Sequence, residues 1–146
     1  MNKDDIAILH SVQKNTEMAM KAIDTIEDKV QDKNLALLLS KTTQKYSDIH
    51  ERTVSSLIEG KAKMYKSNVV EDMMLVGGIK TNTLLDTTTS HIAELMIKGS
   101  NMGITDLNKT LNHHKSGEKN SVELAKELLD LEKYNLEEYK NIYKKF

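Results

Sequence analysis

The chain has 146 residues, of which 38% are hydrophobic and 29% are charged, and it contains no proline, cysteine or tryptophan. That length favours one domain over residues 1–146 with a single core, and a chain of average composition would carry about seven prolines. Because proline breaks helices, its absence favours an all-α protein and argues against a β-sandwich, a collagen-like chain or a proline-rich disordered chain.

Charge is balanced, with 21 basic and 22 acidic residues and a net charge of −1, so we expect no attraction to nucleic acid or to an anionic membrane. Arg52 is the single arginine, and bidentate recognition of phosphate or guanine favours arginine. The lack of cysteine excludes disulfides, thiolate nucleophiles and iron–sulfur clusters. The N-terminal segment is charged rather than apolar, and no apolar run reaches membrane-spanning length. We therefore expect a cytoplasmic protein.

A helical hairpin is predicted at the start of the chain. Apolar residues alternate at spacings of four and three over residues 4–30, which predicts a helix that begins with Asp4 and Asp5. The polar stretch 31–34 predicts a tight turn. A second stripe predicts a helix over residues 35–60 that ends near its final glycine. Because so short a turn joins two helices of similar length, we expect them to lie antiparallel.

A third helix is predicted from about residue 69, and the run 87–90, TTTS, then lies inside it with its hydroxyls bonded back to the preceding turn. The inward stripe of this helix includes Val70, Met73, Met74, Gly77 and Thr81. The apolar residues change phase after Gly99, and one straight helix cannot bury two opposite faces. We therefore predict a break between Gly99 and Gly103, followed by a short helix over residues 101–114.

The last helix is predicted to start at a capping box formed by Asn120 and Glu123. It carries most of the aromatic side chains: Tyr134, Tyr139, Tyr143 and Phe146. They form either a closing apolar seam or an oligomer contact with a polar rim of lysines. The fold prediction is an all-α, antiparallel, up-down four-helix bundle with a short extra helix between the third and last main helices.

Several polar side chains fall on the predicted inward faces of these helices: Thr16, Tyr46, His50, Thr53, Thr81, Thr88, His91, Glu132 and Asn135. Glu132 is the least expected of them, because it lies near the middle of an apolar face. A buried carboxylate needs a partner or takes up a proton. This position therefore predicts either a binding site or a hydrogen-bonded polar layer.

A di-metal carboxylate centre needs a Glu from each of two helices and a Glu-x-x-His motif from each of two others. No predicted helix carries that motif: Ser47 stands three positions before His50. Three positions after Glu132 stands Asn135. A full di-iron centre is therefore not expected. His50, His91 and Glu132 would match the two-His, one-carboxylate set of a single transition metal, but a polar layer without metal is the favoured interpretation.

Two segments resemble a known family. The opening hairpin, DIAILHSVQKNTEMAMKAIDTIEDKVQDKNLALLLSKTTQKYSDIHE, is similar to the first half of ferritin-like and rubrerythrin-like bundles. The segment TTTSHIAELMIKGSNMGITDLNKTLN, residues 87–112, resembles a stretch of uncharacterised ferritin-like proteins of the clostridial and Firmicutes type, with a distinctive run from Ser90 to Gly103. With the last helix, the resemblance covers essentially the whole chain.

The resemblance implies a ferritin-like fold, and in ferritins and rubrerythrins that fold carries iron with oxidase or peroxidase chemistry. The present sequence departs from their ligand pattern at nearly every position and retains at best His50 and Glu132. The resemblance therefore predicts the fold and not the iron chemistry.

Three functions follow as hypotheses. The first is a structural or interaction protein that lacks a complete di-iron ligand set and self-associates as a homo-oligomer. The alternative is a metal-binding protein or metalloenzyme with a reduced site on His50, His91 and Glu132. The third is a bundle that holds an apolar ligand in an interior lined by Thr and Met, beside Gly77 and Thr88. No phosphate-binding loop or nucleophile motif predicts a reaction.

Overall fold

The computed structural model describes the backbone of residues 1–146 and every side chain except those of Leu84 and Leu85. Over this described chain 84% of the residues are helical and no strand occurs, so the all-α prediction is confirmed. The helices are α1 Lys3–Ile26, α2 Lys33–Glu59, α3 Val69–Leu85, α4 Thr89–His113 and α5 Lys119–Lys145, with a short 3₁₀ helix, Glu27–Lys29, after α1. None of these described helices is long and apolar enough to cross a bilayer.

The first two helices begin at side-chain caps. The Asn2 side chain accepts a hydrogen bond from the Asp5 N–H at 2.8 Å, and the Asp5 carboxylate accepts one from the Asn2 N–H at 3.1 Å. This reciprocal pair satisfies two backbone donors that a helix start leaves free. Asp32 caps α2 by accepting from the Leu35 N–H at 2.9 Å. The predicted first helix, 4–30, extends beyond the end of α1 at Ile26. Residues Glu27–Lys29, near the end of the predicted range, form the 3₁₀ helix instead.

Helix α2 ends at the predicted glycine, with Gly60 as its C-cap. The residue in the left-handed conformation is the next one, Lys61, with a φ of 54°. The Lys61 N–H donates to the Ile58 carbonyl at 3.0 Å, and the Ala62 N–H donates to the Leu57 carbonyl at 2.9 Å. These two bonds are those of a Schellman ending, which usually places glycine at the left-handed position.

The break between the third and fourth helices lies earlier than the sequence predicts. Helix α3 ends before the run 87–90 and α4 begins within it, so this run is a helix start and not a mid-helix segment. The Thr88 hydroxyl accepts from the His91 N–H at 3.3 Å, and the Asp86 carboxylate accepts from the Thr88 N–H at 2.9 Å. Short polar side chains are favoured at such positions because they satisfy the free backbone donors.

The predicted break between Gly99 and Gly103, with its separate helix over 101–114, is wrong, because α4 runs through both glycines. Its buried residues are Ile92, Ala93, Met96, Ser100, Gly103 and Leu107, and three of them, Ala93, Ser100 and Gly103, are too small to stand out in an apolar stripe. These positions recur every three or four residues, so a single helical face buries them all. The extra short helix is α3, with 17 residues, and it precedes α4.

Helix α5 has Glu118 as its N-cap, so the capping box predicted at Asn120 and Glu123 is wrong. The Asn120 amide instead donates to the Ser56 hydroxyl at 3.1 Å. The Glu118 N–H donates to Oδ1 of Asp5 at 2.7 Å. The start of α5 is therefore held by contacts with α1 and α2, and its N-cap residue makes no side-chain capping bond.

The core lies where α1, α2, α4 and α5 pack on one another, and the most extensive contact is between α4 and α5. Its buried side chains include Ile8, Ile23, Leu39, Leu107, Leu128 and Tyr139. The predicted aromatic seam on α5 divides in two, since Tyr139 is buried whereas Tyr134, Tyr143 and Phe146 are exposed.

Helix α3 packs on α1 and α4, and it presents a different face from the one the sequence predicts. The predicted inner positions are exposed: Val70, Met73, Met74, Gly77 and Thr81. The half-buried apolar side chains are Leu75, Val76 and Ile79, on the opposite side of the helix. Because α3 is apolar on both sides, hydrophobic periodicity does not determine which side faces the core.

Candidate functional site

A cleft of about 660 Å³ opens between α1, α3 and α4. Its walls are largely apolar, and the side chains that form them include Met18, Ala22, Leu75, Ile79, Met96 and Met102. Small-molecule sites have volumes of about 300–1,000 Å³ and combine apolar walls with a few polar groups. The cleft therefore has the size and the lining of a binding site for a small molecule.

Two polar side chains from α2 and α5, Tyr46 and Glu132, lie at the base of the cleft. Glu132 is only 5% exposed, and its Oε1 accepts a hydrogen bond from the Tyr46 hydroxyl. The Asn135 amide donates to the Thr42 hydroxyl at 2.6 Å and to the Tyr46 hydroxyl oxygen at 3.1 Å. The base is thus a buried polar layer that spans α2 and α5.

Burial raises the pKa of Glu132 to about 7, although hydrogen bonds from Tyr46 and Ser100 act in the opposite direction. Burial also raises the pKa of Tyr46 and of Tyr139, and the nearby Glu132 charge adds to both effects. Both phenols therefore remain protonated at neutral pH. The carboxyl group of Glu132 is the one group at the base that changes charge near pH 7.

Two atoms close to this layer have no hydrogen-bond partner among the described side chains and backbone: Oδ1 of Asn135 and the Tyr139 hydroxyl. Asn135 is fully buried, and its amide nitrogen already donates to two hydroxyls. Buried polar atoms are usually paired. The layer therefore retains unused hydrogen-bonding capacity.

Gly103 provides the space in which the Glu132 carboxyl group lies. A Cβ atom at Gly103 would lie 3.2 Å from Oε2 of Glu132 and 3.6 Å from its carboxyl carbon. Gly103 and Glu132 are both among the residues that line the cleft. Gly103, at which the sequence suggested one end of a helix break, therefore leaves room for the carboxyl group of Glu132 from α5.

The rim of the cleft carries the charged residues Lys14, Lys98, Asp106 and Lys109. Oδ2 of Asp106 accepts hydrogen bonds from the Asn15 amide at 2.7 Å and from the Ser11 hydroxyl at 3.1 Å. These bonds join α1 to α4 below the rim. They connect two of the helices that form the walls of the cleft.

The three residues predicted as metal ligands lie in different surroundings. Nε2 of His50 is 2.9 Å from Oε2 of Glu17, and Nδ1 of His91 is 4.0 Å from Asp86. Glu132 contacts Tyr46. No group of three or more His, Asp or Glu side chains in the described part of the chain could hold a metal ion, so the structure does not bring the predicted ligands together.

Sequence reasoning identified the base of the cleft but not the cleft itself. Tyr46 and Glu132 are among the predicted inward polar residues, and the structure brings them into contact. Neither Gly77 nor Thr88, beside which the sequence predicts an apolar pocket, lines this cleft. The signal that could have located it is the row of small residues on α4, with Gly103 opposite the carboxyl group.

Comparison with known proteins gives no match to a family model, to a curated protein or to a solved structure.

Proposed function

We propose that this protein binds a small molecule with an apolar body in the cleft between α1, α3 and α4. The observation that carries the proposal is the 660 Å³ cleft with the buried Glu132 carboxyl group at its base. An apolar wall supplies affinity through the hydrophobic effect, and one buried polar group fixes the orientation of the ligand.

Methionine is well suited to the walls of such a cleft. Met18 comes from α1, and Met96 and Met102 come from α4. The unbranched thioether adapts its shape to the occupant, which suits a site that accepts ligands of varied outline. The sequence alone favoured a different role for these methionines, in which they only fill space in the hydrophobic core.

The methionine methyl groups provide a direct test of the proposal. In protein labelled with ¹³C at the methionine methyl, 1-octanol should shift the resonances of Met18, Met96 and Met102. The resonances of Met73 and Met74 should not move, because these side chains are exposed on the outer side of α3. A uniform response of all methionines, or no response, would contradict binding in the cleft.

A cleft-filling variant completes the test. Ala22→Phe places a ring in the cleft and should abolish the shifts that octanol causes. Ala36→Phe is the matched control, since Ala36 is exposed on α2 and does not line the cleft. Equal loss of binding in both variants would show that the effect is not local to the cleft.

A second candidate function is self-association through the outer side of α3. Val69, Val70, Met73 and Met74 are between 62% and 71% exposed there. A contiguous exposed apolar patch marks an interaction surface. Gly77 and Gly78, at the middle of the same helix, would have nothing within 4 Å of an added Cβ atom, so a second copy of α3 could approach the backbone closely.

Sedimentation equilibrium tests this second proposal. The wild-type chain should dimerise, and Met73→Glu with Met74→Glu should yield a monomer. Tyr143→Glu, on the exposed part of α5, is the control and should leave the dimer intact. A monomeric wild type at high concentration would rule out self-association.

We further propose that the four long helices have the ferritin-like, antiparallel arrangement expected from the sequence. Their similar lengths, 24, 27, 25 and 27 residues, support this arrangement. Distances between paired spin labels at the helix ends would test it. Metal binding by His50, His91 and Glu132 stays a prediction, for which elemental analysis of untagged protein is the measurement.

A further inference from the structure

We propose that the ligand of the cleft is an alkylamine-like molecule whose protonated nitrogen binds the Glu132 carboxylate while its apolar body lies along the methionine-lined walls. This inference rests on the proposed binding function and specifies the chemical class of the ligand. It follows from the position of one acidic group relative to the charges around it.

Glu132 is a buried acid without a cation. Its carboxyl group interacts with the hydroxyls of Tyr46 and Ser100, and no Lys, Arg or His of the described chain contributes to its environment. A buried carboxylate without a cationic partner is unfavourable. An ammonium group from a ligand would supply the missing charge.

The buried Glu132 is one of the residues that line the cleft. Oε1 is occupied by the Tyr46 hydroxyl, whereas Oε2 faces Gly103, which lines the cleft. We expect a nitrogen that enters from the cleft to bind at Oε2, since Oε1 is bonded to Tyr46, and to lie beside the Ser100 hydroxyl, which also hydrogen-bonds the carboxyl group. Charge-assisted hydrogen bonds of this type are stronger than neutral ones, and low local polarity strengthens them further.

The walls fit the remainder of such a ligand. Leu75 and Ile79 from α3 line the cleft together with Met18 of α1 and Met96 of α4. None of these four side chains carries a polar hydrogen-bonding group apart from the thioether sulfur. A ligand with one polar end and an unbranched apolar body therefore leaves no polar atom unpaired against the walls.

The rim charges argue for a competing ligand, an anion. Lys14, Lys98 and Lys109 line the cleft, and Lys98 lies 3.6 Å from Glu94. Charges that are exposed to solvent are screened over about 8 Å at 0.15 M salt, whereas the buried Glu132 is screened much less. The base therefore determines the preference for charge, and a fatty carboxylate is the comparison that the experiment must include.

Three probes of equal chain length separate these cases: octylamine, 1-octanol and octanoate. Their affinities are measured by methionine-methyl NMR at pH 8 and 0.15 M NaCl, where octylamine is protonated and Glu132 is ionised. We expect octylamine to bind at least tenfold more tightly than octanol, and octanoate to bind more weakly than octanol.

The matched variants are Glu132→Gln and Glu137→Gln, which lie on the same helix. Gln at position 132 keeps the size of the side chain and removes its charge, so the preference for octylamine over octanol should disappear. Glu137 is exposed, and its replacement should leave that preference unchanged. A Glu132→Gln protein that still prefers octylamine tenfold would overturn the inference.

Affinity for octylamine should also rise between pH 6 and pH 8, while affinity for octanol stays constant. The groups that face Glu132 are Tyr46 of α2, Tyr139 of α5 and Ser100 of α4. The charged groups of the cleft are Lys14 of α1 with Lys98, Asp106 and Lys109 of α4. The charge of Glu132 should change in this range, because its pKa is raised to about 7.

The outcomes distinguish the inference from the proposed function. Binding of octanol or octanoate as tight as that of octylamine would overturn the inference and leave the cleft as an apolar binding site. If none of the three probes shifted the cleft methionines, the proposed function would fail together with the inference.

Discussion

The Tyr46 hydroxyl donates a hydrogen bond to Oε1 of Glu132 and thereby joins α2 to α5 at the base of the cleft. The same hydroxyl accepts a hydrogen bond from the Asn135 amide at 3.1 Å. The core of the protein is therefore not wholly apolar. Its polar layer is also the floor of the candidate site, so stability and binding depend on the same side chains.

Replacing Tyr46 with Phe should raise the pKa of Glu132 further and destabilise the fold. The change removes a donor to the carboxylate and an acceptor for Asn135. A buried polar group that loses its partner costs about 1–3 kcal/mol. Urea unfolding and a carboxyl ¹³C titration measure both effects. Tyr143→Phe, on the exposed part of α5, is the control. An unchanged Glu132 pKa in Tyr46→Phe would contradict the role assigned to this hydrogen bond.

Stability should fall as the pH rises from 4.5 to about 7. The Glu132 carboxyl group has an ordinary pKa of 4.5 and a native pKa of about 7, so only the native state holds the proton between these values. Its stabilising effect is complete below pH 4.5 and is lost by the time the pH has passed the native pKa. At about 1.4 kcal/mol per pH unit, the loss is about 3 kcal/mol.

Urea unfolding of the wild type and of Glu132→Gln over this pH range is the appropriate measurement. The variant cannot titrate at position 132, so its stability should lack this decline. The comparison separates Glu132 from the other groups that titrate in the same range. Parallel curves for the two proteins would show that Glu132 does not keep its proton in the native state.

Gly99 and Gly103 should respond differently to replacement by Ala. Gly99 is exposed on α4 with nothing within 4 Å of an added Cβ, so Gly99→Ala should stabilise the helix by about 0.5–1 kcal/mol. Gly103→Ala places a Cβ 3.2 Å from Oε2 of Glu132, which should cancel that gain and weaken binding in the cleft. Thermal unfolding of both variants and octanol affinity test the contrast. Equal stabilisation with unchanged affinity would show that the carboxyl group does not need this space.

Lys61→Gly should stabilise the protein by about 0.5–1 kcal/mol. Lys61 has a φ of 54°, and a side chain in the left-handed region is strained by about 1–2 kcal/mol. Part of the relief is offset because glycine is more flexible in the unfolded chain. Lys63→Gly, in the same connector, lacks a positive φ and should destabilise or have no effect. Chemical unfolding compares the two, and a loss of stability in Lys61→Gly would contradict the prediction.

The sequence predicted the features that local chemistry determines. The presence of helices α1 and α2, the glycine at the end of α2 and the all-α composition follow from periodicity, capping and the lack of proline. The inward position of Glu132 follows from the helical period, which places it on the same apolar face as Leu128 and Leu129, one turn earlier. Each of these predictions uses only residues that lie within one or two helical turns of one another in the sequence.

The remaining features depend on contacts between distant parts of the chain. The buried face of α4 includes Ala93, Ser100 and Gly103, which carry little hydrophobic signal of their own. Their burial follows from the neighbours that pack on them, such as Glu132 on Gly103. The location of the cleft likewise follows from the placement of α3 on α1 and α4, which an apolar pattern on both sides of α3 does not specify.

Helix α3 supplies one wall of the cleft, and it is held less firmly than the other helices. Lys21 pairs with Asp72 at 2.9 Å, Lys29 donates to Thr83 at 2.8 Å, and much of its apolar surface faces solvent. Such a segment opens at a lower free energy than the global unfolding transition. The residence time of a bound molecule should therefore shorten as the hydrogen-exchange rate of α3 rises. A variant that loosens α3 alone should release its ligand faster without a change in the melting temperature of the rest of the protein.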